Sequence, residues 1–274
     1  MRLDSRNGAL KWKQDLRDVA NCKPPQWGFS SSPLVVKGHV IVHAGGGGDK
    51  GILAFDAETG ELAWSAETGQ HSYSSPQLCS IEGEELVIIL TNMGMTVLDP
   101  ETGVERLDYE WKINEYRALQ PAVVGNASML IPSGTGNGTR RIQFQQTEDG
   151  LDAEEIWTSR HMKPDFNDLV VHHGYGYGFD GDIFSCIDLE TGKRTWKGGR
   201  YGKGQVVLIA DSDQLLVASE YGDVVLLRAD PAALVELAKF KALDGKTWNH
   251  PVVVGNRLYI RNAQEAACYE LMSQ

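Results

Sequence analysis

Two stretches decide the fold: DAETGELAW at 56–64 and DLETGKRTW at 188–196. Each is an Asp, two variable residues, a Thr, a Gly and, four positions on, a Trp. Partial copies stand at 4–12 (DSRNGALKW), 99–107 (DPETGVERL, with Leu107 where Trp is expected) and 146–157 (QTEDGLDAEEIW). The marker glycines Gly8, Gly60, Gly103, Gly150 and Gly192 recur at a period of roughly 40–50 residues. With strand-rich units that period is the mark of propeller blades.

The phrase reads as a hairpin turn. An Asp side chain bonds backbone amides two residues on, and Gly accepts the positive φ of a bulged hairpin. The Trp then falls on the outer strand, where its ring can bury against the next repeat for roughly 1.5–3 kcal/mol. Asp56, Gly60, Trp64, Asp188, Gly192 and Trp196 are therefore assigned structural roles.

Around the turns lie short β-branched runs broken by turn residues, the pattern of antiparallel strands. First strands are SSPLVV (31–36), SSPQLCS (74–80), LQPAVV (119–124), NDLVVH (167–172), GQVVLI (204–209) and HPVVV (250–254). Second strands follow in HVIVHA, ELVIIL, SMLIPS, YGYGF, QLLVAS and RLYIRN. Third strands are ILAFD, MTVLD, RIQFQ, IFSCID, VVLLRAD and AACYEL. This predicts an all-β propeller of about six four-stranded repeats forming one domain over 1–274. ADPAALVELAKF (229–240) sits where a turn and outer strand belong and is read that way. ALKWKQDL (9–16) reads as a fourth strand, expected to complete the C-terminal sheet of HPVVV, RLYIRN and AACYEL if six blades close into a ring, the alternative being an open arc of a larger propeller. MRLD reads as a third strand.

A net charge of −11, with no basic run, excludes the electrostatic footprint of a nucleic-acid binder. No segment approaches the ~20 apolar residues of a membrane span. Cys22, Cys79, Cys186 and Cys268 form no CxxC and no adjacent pair, and read as small buried hydrophobes. The run at Gly45–Gly48 lacks a G-K-[S/T] ending and reads as a loop between second and third strands. His172 and His173, adjacent on a strand, are expected to face opposite ways. No metal site is assigned.

The loops leading into the first strands carry aromatic and polar side chains, as a binding concavity does. Trp27, Tyr73, Arg117, Lys203, Trp248 and His250 are the candidate ligand- or partner-binding residues. Arg117 and Lys203 would meet an anionic group, and Trp27 and Trp248 would stack. The opposite face is expected to offer mainly Gly-rich loops. No Ser-His-Asp or Cys-His arrangement is assigned, and no catalytic residue.

The Asp-x-x-Thr-Gly-x-x-x-Trp unit resembles the quinoprotein-type β-propeller repeat, also called the pyrroloquinoline-quinone (PQQ) repeat. That family includes quinoprotein alcohol dehydrogenases and BamB-type outer-membrane assembly lipoproteins. WGFSSSPLV (27–35), DPETG (99–103), YGKG (201–204) and LDGKTW resemble a group of exported bacterial PQQ-like repeat proteins of about eight blades. The resemblance implies a chain lacking N-terminal blades and a periplasmic or cell-envelope setting. The enzymes of the family hold PQQ with a stacking Trp, a disulfide of adjacent cysteines, a Ca²⁺ on Glu and Asn, and an Asp base. That set is not found here, so no cofactor is assigned. The expected function is a non-enzymatic scaffold for an unidentified protein or ligand. A PQQ-dependent oxidoreductase, or a fragment of one, and a carbohydrate- or small-molecule-binding module stand as alternatives.

Overall fold

A computed structural model describes residues 1–134 and 136–271. After a two-stranded opening, β1 (Arg2–Leu3) with β2 (Leu10–Trp12), the chain runs as successive antiparallel meanders. The first is β3 (Leu34–Val36), β4 (His39–His43), β5 (Ile52–Asp56) and β6 (Leu62–Ala66). The second is β7 (Gln77–Ile81), β8 (Glu84–Leu90), β9 (Gly94–Leu98) and β10 (Glu105–Glu110). The third is β11 (Ala122–Val124), β12 (Ser128–Pro132), β13 (Thr139–Thr147) and β14 (Gly150–Ser159). The fourth is β15 (Val170–His172), β16 (Tyr175–Asp180), β17 (Ile183–Asp188) and β18 (Arg194–Arg200). The fifth is β19 (Gln205–Ile209), β20 (Gln214–Ala218), β21 (Asp223–Arg228) and β22 (Val235–Lys241). The last, β23 (Val252–Val254), β24 (Arg257–Arg261) and β25 (Ala266–Glu270), has three strands among the described residues. The fold is of the all-β propeller type, with six repeats among the described residues. The expected strand in 229–240 is β22.

The chain divides into two units, Met1–Ile131 with Ile142–Glu155, and Pro132–Arg141 with Ile156–Gln274. In the first, β8 shows how a sheet is held between neighbours. Leu86, Ile88 and Leu90 enter one apolar cluster with Met129, Ile142 and Phe144, while Val87 and Ile89 enter another with Ile41, Ile52 and Trp64. Successive side chains point to opposite faces, so a strand covered on both faces reads as the unbroken run Leu86–Leu90 rather than an alternation. In the second unit Tyr177, Phe179, Phe184, Val217 and Val225 form one core, and Leu216, Val224, Leu258 and Ile260 another.

The repeat turns have the expected geometry. Asp56 Oδ1 accepts from the amides of Glu58 and Thr59 at 2.9 and 2.7 Å; Asp99 repeats this with Glu101 and Thr102. Gly60, Gly103 and Gly192 have φ of 76°, 71° and 68°. They have a second role as well. A Cβ on Gly60 would lie 2.6 Å from the Trp12 ring, one on Gly103 2.4 Å from Trp64, and one on Gly192 2.8 Å from Trp157. Each of these three outer-strand Trp rings lies against the turn glycine of the next sheet. The Trp12 and Trp157 indoles also donate to the carbonyls of Ala57 and Leu189, each at 3.0 Å. Trp196 donates to Asp230 O at 2.8 Å, in a turn with no glycine. Leu107 supplies no ring, and Gly150 has nothing within 4 Å of its missing Cβ.

Two N-terminal expectations need correction. The strand within 9–16 spans only Leu10–Trp12, and it pairs with Arg2–Leu3 rather than with the C-terminal sheet. Beyond it Asp15 accepts from the Arg17 amide and starts a short helix, α1 (Leu16–Ala20), closed by Asn21 at φ 47°. An N-capping Asp favours this exit from the strand.

Gly8→Ala pays only for placing an L-residue at φ 71°, about 1–2 kcal/mol. Gly60→Ala and Gly103→Ala must also displace an indole, and denaturant unfolding should find each costing about 1–3 kcal/mol more than Gly8→Ala. Equal costs at all three positions would show that the ring contact contributes nothing.

Candidate functional site

In an antiparallel meander the connections alternate ends. The loop into a first strand therefore shares its sheet end with the loop between second and third strands. This corrects the expectation that the Gly-rich loops face the other way. In the first unit a cavity of about 390 Å³ is lined jointly by Cys22, Phe29 and Ser30, by Gly45 and Gly47, and by Gln70 and His71. The glycine run is what lets these segments meet. A Cβ on Gly45 would fall 2.5 Å from Gln70 O, and one on Gly46 would fall 2.5 Å from Ala20 O. At the cavity, His43 is buried with Nε2 2.9 Å from Gly69 O. Burial holds its pKa below the ordinary value, so the neutral ring donates from Nε2 to that carbonyl.

Of the residues proposed from sequence in this unit, Trp27 is 65% exposed and its amide donates to the Tyr73 hydroxyl at 3.2 Å. Tyr73 meets Tyr116 edge-to-face at 4.8 Å. Arg117 behaves differently. It is 1% exposed, its guanidinium donates to the carbonyls of Thr91 and Trp111, and it lies 4.9 Å from the Trp111 ring centroid. A buried cation must be hydrogen-bonded in this way. Arg117 thus ties loops together from beneath, and its charge does not face solvent as the sequence reading expected.

In the second unit Trp248 is 43% exposed. Its indole donates to Glu220 Oε1 at 3.0 Å, packs edge-on against Phe166 at 5.1 Å, and carries Lys246 Nζ 4.4 Å above its ring. Glu220 also accepts from the Lys203 amide at 3.0 Å. Lys203 Nζ reaches Asp165 at 3.3 Å and Asp182 at 3.2 Å. Burial opposes its charge, but the two carboxylates outweigh that and raise its pKa. His250 Nε2 lies 3.0 Å from Asp168 Oδ2, which raises its pKa against partial burial. Buried Gln205 joins the group, donating to Phe166 O and Trp248 O while accepting from the Asp168 amide. Lys203, Trp248 and His250 thus share one network. Its organisers, Gln205 and Glu220, were not singled out by sequence. Glu220 was findable, since it sits in a second-to-third loop at this same sheet end.

The model of the family described as outer membrane protein assembly factor BamB matches residues 1–198. The chain belongs to this family. No curated protein matches. Among solved structures it resembles BamB from Moraxella catarrhalis at 17% identity, covering 88% of this chain and 84% of that one, with a TM-score of 0.49. It resembles the quinohemoprotein alcohol dehydrogenase ADHIIG of Pseudomonas putida HK5 at 13% identity and a TM-score of 0.59. That match covers 94% of this chain and 58% of the dehydrogenase. The Cps50 (Swd1) β-propeller domain of Myceliophteria thermophila matches at 11% identity and 0.57, over 88% and 83% of the two chains. At these identities the last two likenesses establish the fold alone.

The residues present do not fit the quinone of the dehydrogenases. All four cysteines are free thiols with no adjacent pair, and Cys79 and Cys186 are buried in sheet cores.

The His250–Asp168 pair gives a signed pH prediction. Its folded pKa lies above the ordinary 6.5, so its stabilisation is fully present below that value and is lost as pH rises through the raised one. His250→Gln should therefore destabilise most near pH 5.5, with the deficit shrinking by about pH 8.5. A deficit that grew with pH in parallel thermal melts would contradict this.

Proposed function

We propose that this chain is a non-catalytic scaffold of the cell envelope that binds a partner protein through the loops leading into its first strands. The observation that carries this reading is the contrast among its tryptophans. Trp12, Trp64, Trp157 and Trp196 are committed to neighbouring turns, whereas Trp27 and Trp248 remain 65% and 43% exposed on loops. Exposed tryptophans on held loops are the residue type and setting of binding hot spots. Each has local support, from Tyr73 in one unit and from Phe166 and Glu220 in the other. The family's description names outer-membrane protein assembly, which supports an exported, protein-binding role. Among the described residues no helix is long and apolar enough to cross a membrane. The cavity lined by Phe29, His71 and Gln70 favours a second reading, a small polar ligand bound in the first unit.

Affinity capture from an envelope extract tests the scaffold reading. Trp27→Ala combined with Trp248→Ala should abolish a specific partner band while the fold remains intact. Leu62→Ala with Val104→Ala, exposed apolar positions beside the repeat turns, should retain it. Loss with the second pair only would overturn the assignment.

Titration with PQQ and Ca²⁺ should give neither saturable binding nor dye reduction. Micromolar saturation with turnover would establish the oxidoreductase alternative instead.

A further inference from the structure

We propose that His172, His173 and Asp213 form a binding site for one divalent transition metal of the zinc class, joining the β15–β16 and β19–β20 hairpins. Adjacent residues on a continuing strand would point apart, but β15 ends at His172. His173 turns into the left-handed region at φ 47°, and this brings the two imidazoles to 3.8 Å between centroids, on the same side. Asp213, at φ 52°, occupies the corresponding turn of the next sheet. Its Oδ1 lies 2.6 Å from His172 Nε2 and 3.3 Å from His173 Nε2. One donor atom from each residue falls within 4.8 Å of the other two.

The position is a departure from the repeat. Other first strands run into their turns through Val36, Ile81, Val124 and Val254, where this one carries His172. The His172 side chain is only 9% exposed, so an imidazole stands where the repeat places an aliphatic group. The other two donors are open to solvent, at 76% for His173 and 60% for Asp213, leaving a path for the ion.

The donor set selects the metal. Two imidazoles and one carboxylate suit zinc, copper or nickel over calcium or magnesium, which prefer all-oxygen shells. Donors bound at about 2.0–2.2 Å in a tetrahedron stand roughly 3.3–3.6 Å apart. The His173–Asp213 separation already matches, and the His172–Asp213 hydrogen bond opens slightly as the ion replaces its proton. Three protein donors leave a fourth position for water or a side chain of a bound partner. The metal would cross-link two neighbouring hairpins and depends on no property of the partner-binding loops.

The test is calorimetric titration of the chelator-stripped, tag-free chain with Zn²⁺, alongside the visible spectrum of the Co²⁺ form. One equivalent should bind with micromolar affinity, raise the thermal midpoint, and give Co²⁺ the intense bands of a tetrahedral site. His173→Ala, an exposed change that leaves the core untouched, should weaken binding at least about tenfold. Asp213→Ala should do the same, while His71→Ala should not. Absence of saturable one-to-one binding, or affinity unchanged in His173→Ala and Asp213→Ala, would overturn the proposal.

Discussion

The contact on which the repeats depend is an indole lying on a glycine. Trp12, Trp64 and Trp157 each leave an outer strand and cover the turn glycine of the next sheet, closer than any Cβ would allow. The turn must place that glycine in the path of the ring, and the Asp and Thr of the motif hold it there. Asp188 Oδ1 accepts from the Thr191 amide at 2.8 Å, and Gly192 N donates back to Asp188 O at 2.9 Å. Asp, Thr, Gly and Trp recur together because the first three build the seat for the Trp of the preceding repeat. Leu107 and Gly150 make the same point from the other side: without the ring, the space over the glycine is open.

Much of this was legible from sequence because it is local. Strand alternation, hairpin turns and the period are properties of short windows: five of the six first strands lie within the segments assigned to them, and the sixth, Gln77–Ile81, overruns its segment by one residue. Only half of the glycine's role could be read, since positive φ is a local demand while the indole arrives from more than thirty residues away. The N-terminal strand was overextended because Leu16 continues an apolar pattern, although Asp15 carries the capping signal that ends it.

The binding loops were less legible because burial is a tertiary property. Arg117 sits among aromatics and polar residues just as Trp27 does, yet Thr91 and Trp111 carbonyls draw it inward. Gln205 has no local mark distinguishing it from any strand-starting polar residue, and only its three bonds reveal its role. The His172–His173 pair was misread by applying strand alternation one residue too far, past the point where His173 and Gly174 turn the chain.

The most direct measurement is a double-mutant cycle across one seat, Trp64→Leu against Gly103→Ala, read by denaturant unfolding. Trp64→Leu imitates Leu107 and should clear the space over Gly103. Gly103→Ala should then cost only the roughly 1–2 kcal/mol of its backbone conformation, well below its cost beside the native indole. A coupling energy of about 1 kcal/mol or more is the predicted result. An identical cost of Gly103→Ala in both backgrounds would contradict the interlocking of ring and glycine.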